Sequence, residues 1–294
     1  MAPGLKTCLA TPLRKVFPGN FFGLYNKMSC SPLQDILLYN STSEVNAMYI
    51  ELIAAGLLGA VIGSFLNVCI HRIPRGESIA FPPSHCPHCM HRLGPLDLVP
   101  LASWLWLKGS CRYCSQQIAV RYPLVELATA LLFAQAAAAA ATPAGFAERA
   151  LVAACLVVIF FIDLEHQLIF HRVLAMWLLA SLLPLVDGGA FNLNGRLVGA
   201  GIGGGFLLLL YIITRGGIGE GDVKMSLVAG WWLGFPGAIL YLFISFLVGG
   251  VVAATLLAAK IKGRRDPIPF GPFLCTGAWV ACYWGQEIWR WYWR

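Results

Sequence analysis

Charge is what this sequence has least of. Of 294 residues only 14 are acidic and 21 basic, together 12%, while 58% are hydrophobic and the mean hydropathy is +0.71. A water-soluble domain of this size carries about twice that share of charge, so a soluble globular protein is excluded. No signal peptide is evident either: the first 45 residues are mixed, with no apolar run behind a basic start. What is present instead is a series of apolar runs. Several reach about 17–25 residues, enough to cross a hydrocarbon layer of about 30 Å as helices. The chain reads as an all-α polytopic membrane protein.

Eight runs predict transmembrane helices, at 49–70, 124–142, 148–163, 171–186, 197–214, 224–235, 237–259 and 271–289. The sixth, bounded by Lys224 and Pro236, is short and suits a position among the others. One polar loop, 71–123, is large enough for a small domain. If it faces the cytoplasm, successive crossings bring the loops near 163–172, 215–224 and 260–269 to the same side. Those four loops carry 13 Lys and Arg against 8 on the opposite side, the sign expected of cytoplasmic loops. Four of the opposing eight precede Met48. Two readings of 1–47 follow: an upstream extension with Met48 as the true start, or a native disordered tail. The layout is a first helix at 48–70, the loop domain at 71–123, a helical domain at 124–289 and a tail at 290–294.

Against this background, individual acids stand out. Asp163, in FFIDLEHQLIF, ends the third run, and Asp222, in GGIGEGDVK, opens the sixth. The topology puts both at the cytoplasmic membrane boundary, where a carboxylate is costly and usually has a task. Two carboxylates brought together at low dielectric tend to share one proton. One then acts as base on a water while the other polarises a scissile carbonyl, which is aspartic-protease chemistry. Gly216, Gly217, Gly219 and Gly221 would let an extended backbone approach. A helix cap for Asp222, or a proton relay in a transporter, is the competing reading from spacing alone.

Ten cysteines are present, and four fall in a pattern. CPHC (86–89) and CRYC (111–114) form a CxxC…CxxC array suited to tetrahedral Zn²⁺. A reducing cytoplasm argues against two disulfides there. His85, His88 and His91 are alternative ligands, but Cys86, Cys89, Cys111 and Cys114 are complete without them. Cys69, Cys155, Cys275 and Cys282 lie within spans as small packing residues. GAGIGG (199–204) formally fits a dinucleotide fingerprint but follows no strand. Gly199/Gly203, Gly201/Gly205 and Gly59/Gly63 read instead as GxxxG helix packing. The basic KIKGRR (260–265) beside a span is a topology determinant, not a nucleic-acid site, and WGQEIWRWYWR is an interfacial aromatic belt.

GSFLNVCIHRIPRGES, PPSHCPHC, SWLWLKGSCRYC and RYPLVEL occur in an order that resembles the N-terminal half of bacterial type IV prepilin peptidases. The GxGD stretch with Lys224, and PIPFGPFL, resemble their C-terminal half, and the likeness runs from about residue 48 to 285. It implies an inner-membrane aspartic endopeptidase of the GxGD type. Such enzymes cut the basic leader from prepilins and type II secretion pseudopilins at the cytoplasmic face, and many then N-methylate the new terminus with S-adenosylmethionine. The resemblance carries the catalytic pair onto Asp163 and Asp222, and the zinc knuckles onto the same four cysteines. Glu77, Asp97, Glu165 and Glu220 become candidate contacts for the basic leader. The chain departs from the family pattern at Phe170 and His171, where a proline and then Asp or Asn are usual. It departs again at Glu220, whose charge is expected to favour protonation of the nearby aspartate.

Overall fold

The computed structural model describes residues 34–188, 191–263 and 266–292, with side chains from residue 46 onward. Most of the expected extension 1–47, and residues 293 and 294 of the tail, lie outside the described residues. The chain divides into two compact units, 1–47 and 48–294, and the second contains both aspartates and the four patterned cysteines.

Among the described residues the fold is all helix, with no strand and two isolated β-bridges. The helices are α1 (Gln34–Arg72), α2 (Ala102–Trp106), α3 (Arg121–Ala139), α4 (Pro143–His166), α5 (His171–Ala180), α6 (Leu193–Ile213), α7 (Glu220–Leu233), α8 (Gly237–Ala258) and α9 (Gly271–Tyr292). A helix lies on each of the eight runs. Five are long and apolar enough to cross a membrane: Asn46–Arg75, α3, α4, α6 and α8. The other three of the eight expected spans do not reach that length and apolarity. Helix α5 has 10 residues, α7 has 14 and opens with Glu220, Asp222 and Lys224, and α9 alternates apolar residues with Gln286, Glu287 and Arg290. Shelter accounts for α5 and α7: Trp177 of α5 and Met225 and Ala229 of α7 are fully buried, so these helices pack against protein.

Helix α4 is the hub. Its most apolar window is 61% buried, against 22% for α6, and Val152, Ala153 and Cys155 have no exposure. Small residues set the closest approaches, as the GxxxG pairs predict. A Cβ on Gly59 would lie 2.7 Å from the Thr129 carbonyl oxygen, and one on Gly63 2.8 Å from the Glu126 Cα, so α1 and α3 touch backbone to backbone. Gly199 and Gly203 meet Gly230, Gly234 and Ser226 in the same way, locking α6 onto α7. Gly201 and Gly205 do not: nothing lies near them, because two residues along a helix turn the chain to the opposite face.

Bonds between connections sort the bundle into two ends. At one, Arg121 pairs with Glu165 (2.6 Å), Lys224 meets His171 (3.0 Å) and Gly271 meets Asp163 (2.8 Å). At the other, the Ala144 N–H donates to Asp187 (3.1 Å), Arg196 to the Ser181 carbonyl (3.1 Å) and the Phe235 N–H to the Gly195 carbonyl (2.9 Å). Chain direction therefore alternates from α3 through α7.

Candidate active site and metal centre

Thr142 caps α4, accepting from the Gly145 N–H (3.1 Å), and Pro143 fills the first turn, where no N–H is needed. The helix ends 23 residues later at His166, where Gln167 turns left-handed (φ 55°) and its N–H closes onto the Asp163 carbonyl at 2.9 Å. Asp163 thus sits in the last turn, 5% exposed. Its Oδ2 accepts from the N–H of Gly271, the first residue of α9. A Cβ at Gly271 would lie 2.7 Å from that oxygen and 2.8 Å from Cγ, so the approach requires glycine.

Asp222 lies in the first turn of α7, 8% exposed, with its N–H on the Gly219 carbonyl (3.1 Å). Helix α7 starts there because Gly219 keeps extended dihedrals after the turn at Gly216 and Gly217, and acids in a first turn complement the helix dipole. The two carboxylates, 59 positions apart, line one cavity of about 380 Å³ and interact electrostatically. Gln167, the Gly217–Gly219 turn, Phe246 of α8 and the Pro267–Phe270 segment complete its walls. With two carboxylates on one cavity, one can take a proton while the other donates one. Beneath Asp222, the Ser226 and Tyr241 hydroxyls bond at 2.6 Å and fix α7 against α8.

The expected leader contacts are mostly taken within the chain. Arg121 Nη1 donates to both oxygens of Glu165 (2.7 and 2.6 Å), and Lys224 pairs with Glu220 four residues earlier. Asp97 binds Arg112 (2.8 Å), the Tyr113 hydroxyl (3.1 Å) and the Gly94 N–H (3.0 Å). Burial alone would raise its carboxyl; the Gly94 N–H, Tyr113 and Arg112 together hold it below the ordinary carboxylate range. Glu77 is exposed. His171, one of the departures from the family pattern, opens α5 and meets Lys224.

The loop between α1 and α3 is two copies of one knuckle. The Met90 N–H returns to the Cys86 carbonyl and Ser115 to Cys111, both at 2.9 Å; Cys86 N–H reaches His91 (2.9 Å) and Cys111 reaches Gln116 (2.8 Å). Bridges His85–Arg92 and Ser110–Gln117 close each hairpin, and Met90 and Ser115 take the left-handed conformation behind each second cysteine. The four Sγ atoms lie within 4.8 Å of one another, Cys86 and Cys114 at 3.9 Å. A tetrahedral zinc with Zn–S near 2.3 Å needs S···S separations of about 3.8 Å, so the donor set fits. Two of the three alternative histidines are engaged elsewhere: His85 on the Pro83 carbonyl, His91 stacked on Tyr113 at 3.7 Å.

Sequence reasoning passed over several residues that hold the site together. Arg72, 6% exposed, donates to the Ser78 and Pro82 carbonyls and ties the loop to α1. Glu126 (8% exposed) accepts from the Leu101 N–H at 2.7 Å, and Glu148 accepts from Trp232 Nε1 at 3.0 Å. Their signal was the scarcity of charge itself: each is a charged residue inside or beside an apolar run.

Residues 57–140 match the bacterial peptidase A24 N-terminal domain, and residues 150–254 match the type IV leader peptidase family. A protein of Aeromonas hydrophila named prepilin leader peptidase/N-methyltransferase is 37% identical over 265 residues, covering 80% of this chain and 91% of that protein. Proteins of the same name are 33% identical in Pseudomonas aeruginosa (80% and 91% covered) and 33% in Bacillus subtilis (79% and 94%). No solved structure matches the chain.

Proposed function

This chain belongs to the type IV prepilin leader peptidase/N-methyltransferase family, and on that premise we propose that it is a membrane aspartic endopeptidase working through Asp163 and Asp222. Its substrates are type IV prepilins and type II secretion pseudopilins. The observation that carries this reading is the single cavity lined by both buried carboxylates, at the ends of helices α4 and α7. One carboxylate takes a proton from water as its oxygen bonds to the scissile carbonyl carbon, and the other, protonated, hydrogen-bonds the carbonyl oxygen. Collapse breaks the C–N bond, with a proton passing to the leaving amine. The Gly271 N–H keeps Asp163 oriented through this exchange.

A prepilin brings a basic leader and an apolar helix, so its scissile bond rests at a membrane boundary. Alternation of chain direction between the two bundle ends supports eight crossings in an inner membrane, with α5, α7 and α9 sheltered inside. The bias of Lys and Arg supports a cytoplasmic location for the cavity. Cys86, Cys89, Cys111 and Cys114 would hold a structural zinc, which supplies folding energy to a loop with little core of its own. The chain then N-methylates the new terminus, with S-adenosylmethionine as second substrate.

The test is intact-mass analysis of a prepilin with its leader, incubated with the purified protein and S-adenosylmethionine. Loss of the leader and gain of one methyl is expected, with Asp163→Ala and Asp222→Ala each abolishing cleavage. Cutting that survives either change would mean that the wrong carboxylates have been named.

A further inference from the structure

The stretch GPLDLVPLASWLWLKG, residues 94–109, stands in the middle of the polar loop with only Asp97 and Lys108 as charges. Asp97 is turned inward to Arg112 and Tyr113. The apolar side chains are turned outward: Leu96 is 70% exposed, Leu105 68% and Trp106 86%. The helical turn Pro95–Leu98 packs against α2, so the exposed residues of the two lie close together. Trp104 shows that this is not loose chain. Its Nε1 donates to the Ile118 carbonyl (3.4 Å) and its ring lies on Gly109, where a Cβ would come within 3.0 Å. Folding Trp104 inward is what aims Leu105 and Trp106 out.

The depth of this surface is fixed by one bond. The Leu101 N–H, just before α2, donates to Glu126 at 2.7 Å. Glu126 is five residues into the apolar helix α3, about 7.5 Å along its axis. It also lies against Gly63 of α1, nine residues before that helix ends, where a Cβ would come within 2.8 Å of the Glu126 Cα. Residues near 101 therefore sit at the level of the first turns of the membrane helices. Phe65 of α1 and Leu124 and Leu127 of α3 present apolar exposure at that level, 47%, 51% and 45%.

We propose that residues 95–107 form an interfacial membrane segment. The apolar face of the turn and α2 lies in the headgroup–acyl boundary of the leaflet adjoining the loop, with Trp106 as anchor and Lys108 among the phosphates. Interfacial segments bury about 5–10 Å below the surface, which brackets the depth set by Glu126. Lipid is the occupant because the patch runs on from the lipid-facing sides of α1 and α3 and comprises aliphatic side chains and one tryptophan, the composition of a membrane belt. The zinc knuckles are then held flat on the membrane. The inference does not depend on the peptidase reading.

Hydroxyl-radical oxidation of the wild-type protein in lipid nanodiscs tests it. Trp106 and Leu105 should be oxidised several-fold less than Tyr113, which is 47% exposed on the second knuckle. Trp106 oxidised as strongly as Tyr113 overturns the proposal. A second form of the test replaces Trp106 with p-benzoylphenylalanine and irradiates the nanodiscs. An adduct one phospholipid heavier is expected. No lipid adduct, or a crosslink to a second copy of the chain or to added prepilin, overturns it in favour of water or a protein partner.

Discussion

Gly271 contributes to the site by having no side chain. Its N–H reaches Asp163 at 2.8 Å only because nothing occupies the Cβ position, 2.7 Å from the accepting oxygen. Gly271→Ala must push Asp163 or the start of α9 aside by several tenths of an ångström. Since misplacement near 1 Å can cost about 10²-fold in rate, prepilin cleavage should fall between about 10- and 100-fold while the purified protein keeps its helix content. Circular dichroism beside a cleavage assay checks both halves. Asp97 gives the pH-dependent case. Its folded pKa lies below its unfolded value, so its stabilisation is fully present above the unfolded pKa, near 4, and is lost as pH falls through the folded one. The melting temperature of Asp97→Asn should trail wild type by a constant amount from neutral pH down to about 5, and the gap should close only below about 4. Reading the difference cancels the acid loss of thiolate ligands common to both. Asp163 and Asp222 were legible in the sequence because each is an acid at the edge of an apolar run. The pairings of Asp163 with the Gly271 N–H and of Glu126 with the Leu101 N–H were not: the partners stand 108 and 25 positions away, and no local pattern marks them.

At the scale of elements, the two knuckles were the most readable feature, since CxxC spacing alone dictates a tight turn with both sulfurs on one side. What spacing could not give is that the knuckles superimpose bond for bond, with Met90 and Ser115 left-handed at equivalent places. Few buried apolar side chains hold this loop; Cys86 and Cys111 are the buried members of the ligand set. Its order should therefore depend on metal. Purified protein is expected to hold one zinc per chain. Cys111→Ser, or a strong chelator, should release it and open residues 71–123 to protease, while the helical bundle stays intact. Zinc contributes on the order of 10 kcal/mol to small metal-built folds, far more than this loop could replace. Elemental analysis and limited proteolysis read the outcome, and a loop that stays resistant without metal would show another source of stability. The helices themselves were legible to within a few residues at most ends. Their roles were less so. Hydropathy ranks α4 and α8 alike as spans, whereas packing makes α4 the hub and leaves α8 largely at the lipid surface.

Whole-molecule topology turns on whether short helices cross. Helix α5 and the turn after it run from His171 to Leu185, at most about 23 Å of helix, short of a hydrocarbon layer of about 30 Å. A lone helix of that length would strand its ends in lipid. Here Val173, Leu174, Trp177 and Ala180 are buried against neighbours, so the mismatch falls on protein and on the end groups that neighbours satisfy, such as the Ser181 carbonyl under Arg196. The hydrogen bonds at the two ends agree with the proposed crossing: His171 meets the chain at the end of the Asp163–Asp222 cavity, and Asp187 meets it at the start of α4. On the proposed eight-crossing topology the chain passes the membrane three times between the loop 71–123 and the connection after α5, through α3, α4 and α5. If α5 did not cross, it would pass twice. The parity is measurable. Cysteines introduced as Glu77→Cys and Val186→Cys, the latter at a position 77% exposed, should react with a membrane-impermeant maleimide from opposite faces of oriented vesicles. Glu77→Cys should label in inside-out vesicles and Val186→Cys in right-side-out ones, each above the wild-type background. Labelling of both from one face would remove α5 from the count of crossings and move the connection before α6 to the side of the cavity.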